Sequence, residues 1–460
     1  MQFIPNDVRF AVSKFENFNS NCFRLETSGA TSAGPSSIIT LTLPSNCVID
    51  LRSFKVHMDI ATTSAAAVTN VNGLIYAKLP ADTSSLIQQC EVYCGGVQIS
   101  QGFSEFNTVS KVKKLIFTSR DRDSSVNNTL SHGTISGTDA VDNISCIFKP
   151  NIGFFAESST RYLPTSITGD ISVRITLAST AVLTFKESGQ NIGVNFVQSG
   201  TAASNVGARA AAATLTYSVS SIHATCQTVT LGDQYESMLL DRLTQEEFLS
   251  VYFKEYYTFA LHGTAGTSHD VRFSLSASSI DRLYAVCRDS NYQTPGIRAR
   301  VYKDSVSLSD ANCANHFFFK SFNPTALHTR RGDVRYQYSV NNVQHPQYQA
   351  DGLDACHELV MISDSHSLAG RGNMITGLGD WNDGKAVFPL QLCMPGQPIN
   401  VRVGYNSRGN NTQFSISITN QTMETVNAAA QVTASISTLV IAETSSEMRI
   451  SGGRQVAIAT

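Results

Sequence analysis

Apolar and polar residues alternate with a period of two in many short stretches of this chain. In SIITLTL, Ile39, Leu41 and Leu43 are interleaved with Thr40 and Thr42. In ISVRITL, residues Ile171, Val173, Ile175 and Leu177 share one side, and VRFSL from Val271 repeats the scheme. Successive strand side chains point to opposite faces, so this period predicts strands with one buried face. Ile49–Ile60 is predicted as one longer strand. Tyr217 and Val219 with Leu215, then Phe414, Ile416 and Ile418, then Ile436 and Val440 with Ala434, mark the strands that close each half.

A helical period appears in three places only. Phe106, Val109, Val112 and Ile116 are spaced for one helix, with Ser104 as its predicted N-cap. Leu353, Cys356 and Val360 are spaced for a second, and Tyr235, Met238, Leu239 and Leu243 for a third within 233–248.

The first two helices each follow the same preface. EVYCGGVQ and QYSVNNVQ both run as a short strand, a pair of residues that tolerate positive φ (Gly95-Gly96, Asn341-Asn342), and Val-Gln. That chemistry suits a two-residue hairpin turn. The copies stand about half the chain length apart, so the repeated unit is a whole domain. Further landmarks keep the same order: Ile49-Asp50 and Ile280-Asp281, then RYLP ending at Pro164 and AVFP ending at Pro389, then Ile171–Ile175 and Ile399–Val403.

The fold expected is all-β: two tandem eight-stranded antiparallel jelly rolls with short inserted helices. The domains are 1–231, an N-terminal arm (to about residue 35) plus the first jelly roll, and 232–460, a linker helix plus the second. A polar stretch at 119–142 reads as an exposed loop, 189–213 as a flexible Gly/Ala/Ser segment, and 289–331 as a long insertion.

Composition narrows the function. Apolar residues make up 42% of 460, enough for folded cores, whereas charged residues are 15% against a norm of about 25%. The 34 basic and 36 acidic residues give a net charge of −2, without the basic excess that phosphate-gripping proteins carry. Lys111, Lys113 and Lys114 are read as the wet face of a helix. The ten cysteines are dilute, without a CxxC pair, and are expected as reduced, mostly buried thiols. No signal-peptide pattern is read at the N-terminus, and no apolar run reaches the roughly 20 residues of a membrane helix.

Motifs of chemistry are sparse. No GxSxG, HExxH, P-loop or dinucleotide fingerprint occurs, and no catalytic, cofactor-binding or metal residues are assigned. Arg331-Gly-Asp333 matches a receptor-binding tripeptide by coincidence, and the stretch from Asp380 to Gly384 is a turn anchored by Trp381 rather than a calcium loop. His357, Glu358, Asp364 and His366 read as solvated groups. Asn127, Asn143, Asn410 and Asn420 begin Asn-x-Ser/Thr triplets read as unmodified.

CEVYCGGVQI with its helix, RYLP with GDISVRITL, the linker DQYESMLLDRL, and FKEYYTF followed by VRFSLSASSIDRLYAVCR carry a resemblance over nearly the whole chain. It resembles the double jelly-roll major capsid proteins of the PRD1–adenovirus lineage, those of polinton-like viruses, virophages and nucleocytoplasmic large DNA viruses above all. The resemblance implies a homotrimeric, pseudo-hexagonal capsomer tiling an icosahedral virion shell assembled inside the host cell. It also implies contacts with neighbouring capsomers, penton and minor capsid proteins, and neither enzymatic activity nor sequence-specific nucleic-acid binding. A sandwich protein that binds carbohydrate or acts as an adhesin is the alternative, and a sandwich glycosidase a third reading; neither has an aromatic platform or a carboxylate pair singled out in the sequence.

Overall fold

The computed structural model of the chain describes residues 19–62, 75–80, 82–100, 104–117, 143–187, 216–230, 233–264, 268–293, 296–297, 316–317, 319, 334–362, 381, 384–394, 403–409, 412–420 and 436–459. The arm up to residue 18, the stretches 119–142 and 189–213 and most of the 289–331 insertion lie outside them.

In the first half the chain forms β1 (Asn19–Glu26), β2 (Ile38–Thr42), β3 (Val48–Asp50), β4 (Lys55–Thr62), β5 (Ile75–Lys78), β6 (Ile87–Cys94) and β7 (Val97–Gln98). Helix α1 (Phe106–Phe117) follows, then β8 (Asn143–Phe148), β9 (Tyr162–Pro164), β10 (Ile171–Leu177), β11 (Thr184–Glu187) and β12 (Tyr217–Thr230). One sheet has β12 between β1 and the β3/β4 pair, with β9 beyond β3 and β8 beyond β4; the facing sheet runs β2-β10-β6-β7.

Helix α2 (Asp233–Glu246) leads into β13 (Phe248–Thr264), β14 (Ser268–Ser274), β15 (Ile280–Asp289), β16 (Gly296–Ile297), β17 (Val334–Val340) and β18 (Val343–Asp351). After helix α3 (Gly352–Ile362) come β19 (Phe388–Gln391), β20 (Gln413–Asn420), β21 (Ile436–Ser451) and β22 (Gln455–Ala459). Here the sheets run β13-β21-β15-β19, with β22 also on β21, and β14-β20-β17-β18.

Numbered by position within each half, both sandwiches have the same two sheets, 1-8-3-6 and 2-7-4-5. That order, in antiparallel sheets, is the jelly roll, and it occurs twice. Both longer inserted helices fall between positions five and six. β5, β11 and the two residues of β16 form a small accessory sheet, in which β16 from the second half runs parallel to β11 from the first.

The alternation in sequence is the burial pattern in space. Ile39, Leu41 and Leu43 are buried while Ile38 is exposed, and Ile171, Val173, Ile175 and Leu177 face the same core. Each such side chain contributes about 1.5–3 kcal/mol when fully removed from water. Both hairpins form as the turn residues require: Gly95 and Gly96 have φ of 57° and 82°, Asn341 and Asn342 of 49° and 67°. Cys94 pairs Val97 and Val340 pairs Val343 across them.

Four expectations need correction. The stretch 49–60 is not one strand, because the Asp50 carboxylate accepts from Arg52 N (3.1 Å) and caps a 3₁₀ turn at Leu51–Ser53 that separates β3 from β4. Part of the N-terminal arm is a strand: β1 pairs with β12 along its whole length. Ile399–Val403 does not take the place of Ile171–Ile175: the strand in the seventh position is β20, residues 399–402 lie outside the described residues, and Val403 lies in no strand. Finally, α3 buries Ala355, Cys356, Leu359 and Ile362 and leaves Leu353 exposed, while α2 buries Leu243 and exposes Met238. Small Ala355 sits on the α3 packing stripe, which a search for large apolar residues misses.

Candidate functional site: the seam between the two sandwiches

Helix α1 is the element on which the two sandwiches meet. Its N-cap is Glu105, whose carbonyl accepts from Val109 N at 3.0 Å. Ser104 stands one residue too early and bonds Thr258 of β13 instead, at 2.7 Å. Phe106, Val109, Val112 and Ile116 pack inward as their spacing predicts.

The opposite face of α1 is not wet. Lys113 and Lys114 are only 8% and 9% exposed: the second sandwich covers Lys113, while Lys114 turns onto Asp82 and Ser84 of its own half. Lys114 pairs with Asp82 and donates to Ser84 Oγ at 2.9 Å. Lys113 Nζ lies 3.0 Å from Glu443 Oε2 on β21 and 3.5 Å from Glu157 Oε1, and 4.2 Å from the Phe117 ring centroid. Arg282 on β15 reaches the other Glu443 oxygen at 3.2 Å, and Tyr284 donates to Oε2 at 3.2 Å. Tyr256 donates to Glu157 at 2.5 Å. Beside them Lys254 pairs with Asp281 and donates to Ser445 Oγ at 2.8 Å.

Burial alone raises a carboxyl pKa, yet Lys113, Arg282 and Lys254 outweigh it and hold Glu443 well below the usual range. Lys114 does the same for Asp82. Burial, then the nearby carboxylates, push the Tyr256 and Tyr284 phenols far above theirs. These carboxylates stay charged and these phenols neutral near pH 7, so the network does not move protons; it fixes geometry.

The seam has two further ties. Backbone bonds join Ser159 N to Tyr252 O (2.7 Å) and Lys254 N to Glu157 O (3.1 Å), so part of the first half borders β13. Fully buried Arg288 of β15 lies 2.9 Å from Glu105 and 3.2 Å from Thr108 Oγ1, its guanidinium 3.9 Å from the Tyr292 ring. At the far end the β21–β22 turn crosses over: Arg454 donates to Ser166 O at 2.9 Å and to Asn46 Oδ1 at 3.3 Å.

The residues flagged by motif do not converge. Arg331–Asp333, Asp364, His366, Asp380, Asn127 and Asn410 lie outside the described residues. Trp381 is buried and donates to Val387 O at 3.2 Å, with its ring edge-on to Phe388. His357 is exposed and Glu358 half-buried, while Asn143 and Asn420 sit at strand ends. No group of three metal-ligating side chains occurs among the described residues. The nine described cysteines are free thiols, six of them buried, and burial pushes the Cys90 thiol up to about 12. The only sequence signal for the seam was Lys113-Lys114 within a helix whose other face is apolar.

No family model matches the sequence, and no curated protein matches it. Solved structures do match. A chain of the PBCV-1 virus capsid superposes with a TM-score of 0.60 at 11% identity, over 99% of both chains. The Faustovirus major capsid protein gives 0.54 at 11% identity, over 96% of this chain and 92% of its own. A chain of the Sputnik virophage gives 0.50 at 10% identity, over 100% and 91%. At such low identity the agreement speaks of architecture, and over essentially its full length this chain has the double jelly-roll fold of viral major capsid proteins.

Proposed function

We propose that the chain is a major capsid protein whose work is self-association: three copies form a pseudo-hexagonal capsomer, and capsomers tile an icosahedral virion shell. The observation that carries this is the twice-used 1-8-3-6 and 2-7-4-5 strand order within one polypeptide. Two similar sandwiches per chain let a threefold trimer offer six similar walls to a hexagonal lattice. On this reading 1–231 and 232–460 are the two units. Penton and minor capsid proteins are the expected partners, and the role is structural rather than enzymatic.

Surface chemistry supports the reading. Apolar side chains remain exposed on elements that carry few charges: Val343 and Tyr348 on the edge strand β18, and Leu353 and Met361 on α3. Covering them with another copy removes apolar area without desolvating ions. No described helix is long and apolar enough to cross a membrane.

Negative-stain imaging and light scattering of the purified protein test the proposal. Trimers with a hexagonal outline are expected; monomers that bind or cleave glycans would overturn it.

A further inference from the structure

A cleft of about 830 Å³ opens at the seam, with walls from both sandwiches. Six cationic side chains line it, Arg52, Lys113, Lys114, Lys149, Lys254 and Arg282, against three carboxylates, Asp82, Glu157 and Glu443. The four deeper cations are balanced. Lys114 is paired by Asp82 and Lys254 by Asp281, while Lys113 and Arg282 share Glu157 and Glu443.

Arg52 and Lys149 are different. Both are exposed at the lip, and neither makes an ion pair with a described carboxylate. Their backbones are held: Arg52 sits in the 3₁₀ turn capped by Asp50, and Lys149 lies between β8 and Pro150, whose ring fixes the chain direction. Phe117 and Ile147, 42% and 44% exposed, add apolar wall beside them. A concave site with excess charge of one sign and low-dielectric walls concentrates counter-ions. Its volume, about 30 Å³ per water displaced, exceeds one phosphate and admits a short chain of them.

We propose that this cleft binds a small multivalent anion of the phosphate class, held at its lip by Arg52 and Lys149. Lys and Arg suit phosphate oxygens as point charge and fork respectively. The site lies within one chain, so it stands or falls separately from the shell assignment.

The test is calorimetric titration and thermal denaturation of the full chain with sodium tripolyphosphate, at ionic strength matched with sodium chloride. Saturable binding near one per chain and a Tm rise of about 2–4 °C are expected. The double variant Arg52→Glu, Lys149→Glu should keep its Tm without anion, because both side chains are at the surface, and bind at least about tenfold more weakly. Arg408→Glu, an exposed cation away from the cleft, should bind as the parent does. Non-saturable binding, an effect equalled by chloride, or undiminished binding by the double variant would each overturn the proposal. So would binding of poly-glutamate with tripolyphosphate inert, which reassigns the cleft to an acidic protein segment.

Discussion

Lys113 of the first sandwich places its ammonium 3.0 Å from the Glu443 carboxylate of the second, across 330 residues of sequence. Both groups are nearly inaccessible at the base of the cleft, so each is poorly hydrated if its partner is lost. Buried pairs add little net stability over apolar substitutes, but breaking one leaves an uncompensated charge at a cost of about 3–5 kcal/mol. Glu443→Gln should therefore lower the unfolding free energy by up to about that amount, because Arg282 loses its carboxylate and Lys113 keeps only Glu157. Adding Lys113→Met should recover part of it, and a double-mutant cycle in denaturant measures the coupling.

Acid should loosen the seam. Burial works against ionisation of Glu443, Asp82 and Glu105, and Lys113 with Arg282, Lys114, and Arg288 respectively overcome it, leaving all three pKa values depressed. A depressed folded-state value contributes stability that is complete above the ordinary carboxyl range and is lost as pH falls below it. The Tm should be level from pH 7 to about 5 and drop steeply below about 4.5. A flat profile down to pH 3 would contradict the assignment.

The second hairpin separates backbone from side-chain effects. Asn341 sits at φ 49° and its Oδ1 accepts from Gln413 N at 2.9 Å. Asn341→Ala should cost about 1–2 kcal/mol from conformation plus about 1 for the bond. Asn341→Gly relieves the first cost alone, so chemical denaturation should place it between the parent and the alanine variant.

Gly404 admits no side chain. A Cβ there would lie 2.5 Å from both Asp281 Oδ1 and the Ile280 carbonyl oxygen. The carbonyl belongs to β15 at the centre of its sheet and cannot yield, so Gly404→Ala should destabilise by about 1–3 kcal/mol or more. Gly409→Ala, with nothing within 4 Å but φ at 71°, isolates the conformational part; Tm values of the two compare them.

Much of this architecture was legible because strand burial has a short period. Ile171–Leu177 and Phe414–Ile418 declare their inward faces within a few residues, and Gly95-Gly96 and Asn341-Asn342 declare turns by backbone chemistry alone. Features decided by distant partners were not legible. Lys113 and Lys114 carry no local mark of burial, since Glu443 lies 330 residues after Lys113 and Asp82 lies 32 before Lys114. The break after Asp50 depends on a cap and on Arg161, which reaches its carboxylate at 2.7 Å from 111 residues away. Arg288, wholly enclosed, reads in sequence as an ordinary charged strand residue.

The reach of Arg454 back to Ser166 and Asn46 has a bearing on synthesis. At ribosomal speeds of about 5–20 residues per second, the emerging amino-terminal sandwich waits on the order of tens of seconds for the strand and turn that finish its flank. During that interval Lys113 lacks Glu443, and the cleft wall that β13, β15 and β21 supply is missing. Chaperone capture, or pairing with the wrong nascent neighbour, is a hazard confined to that window.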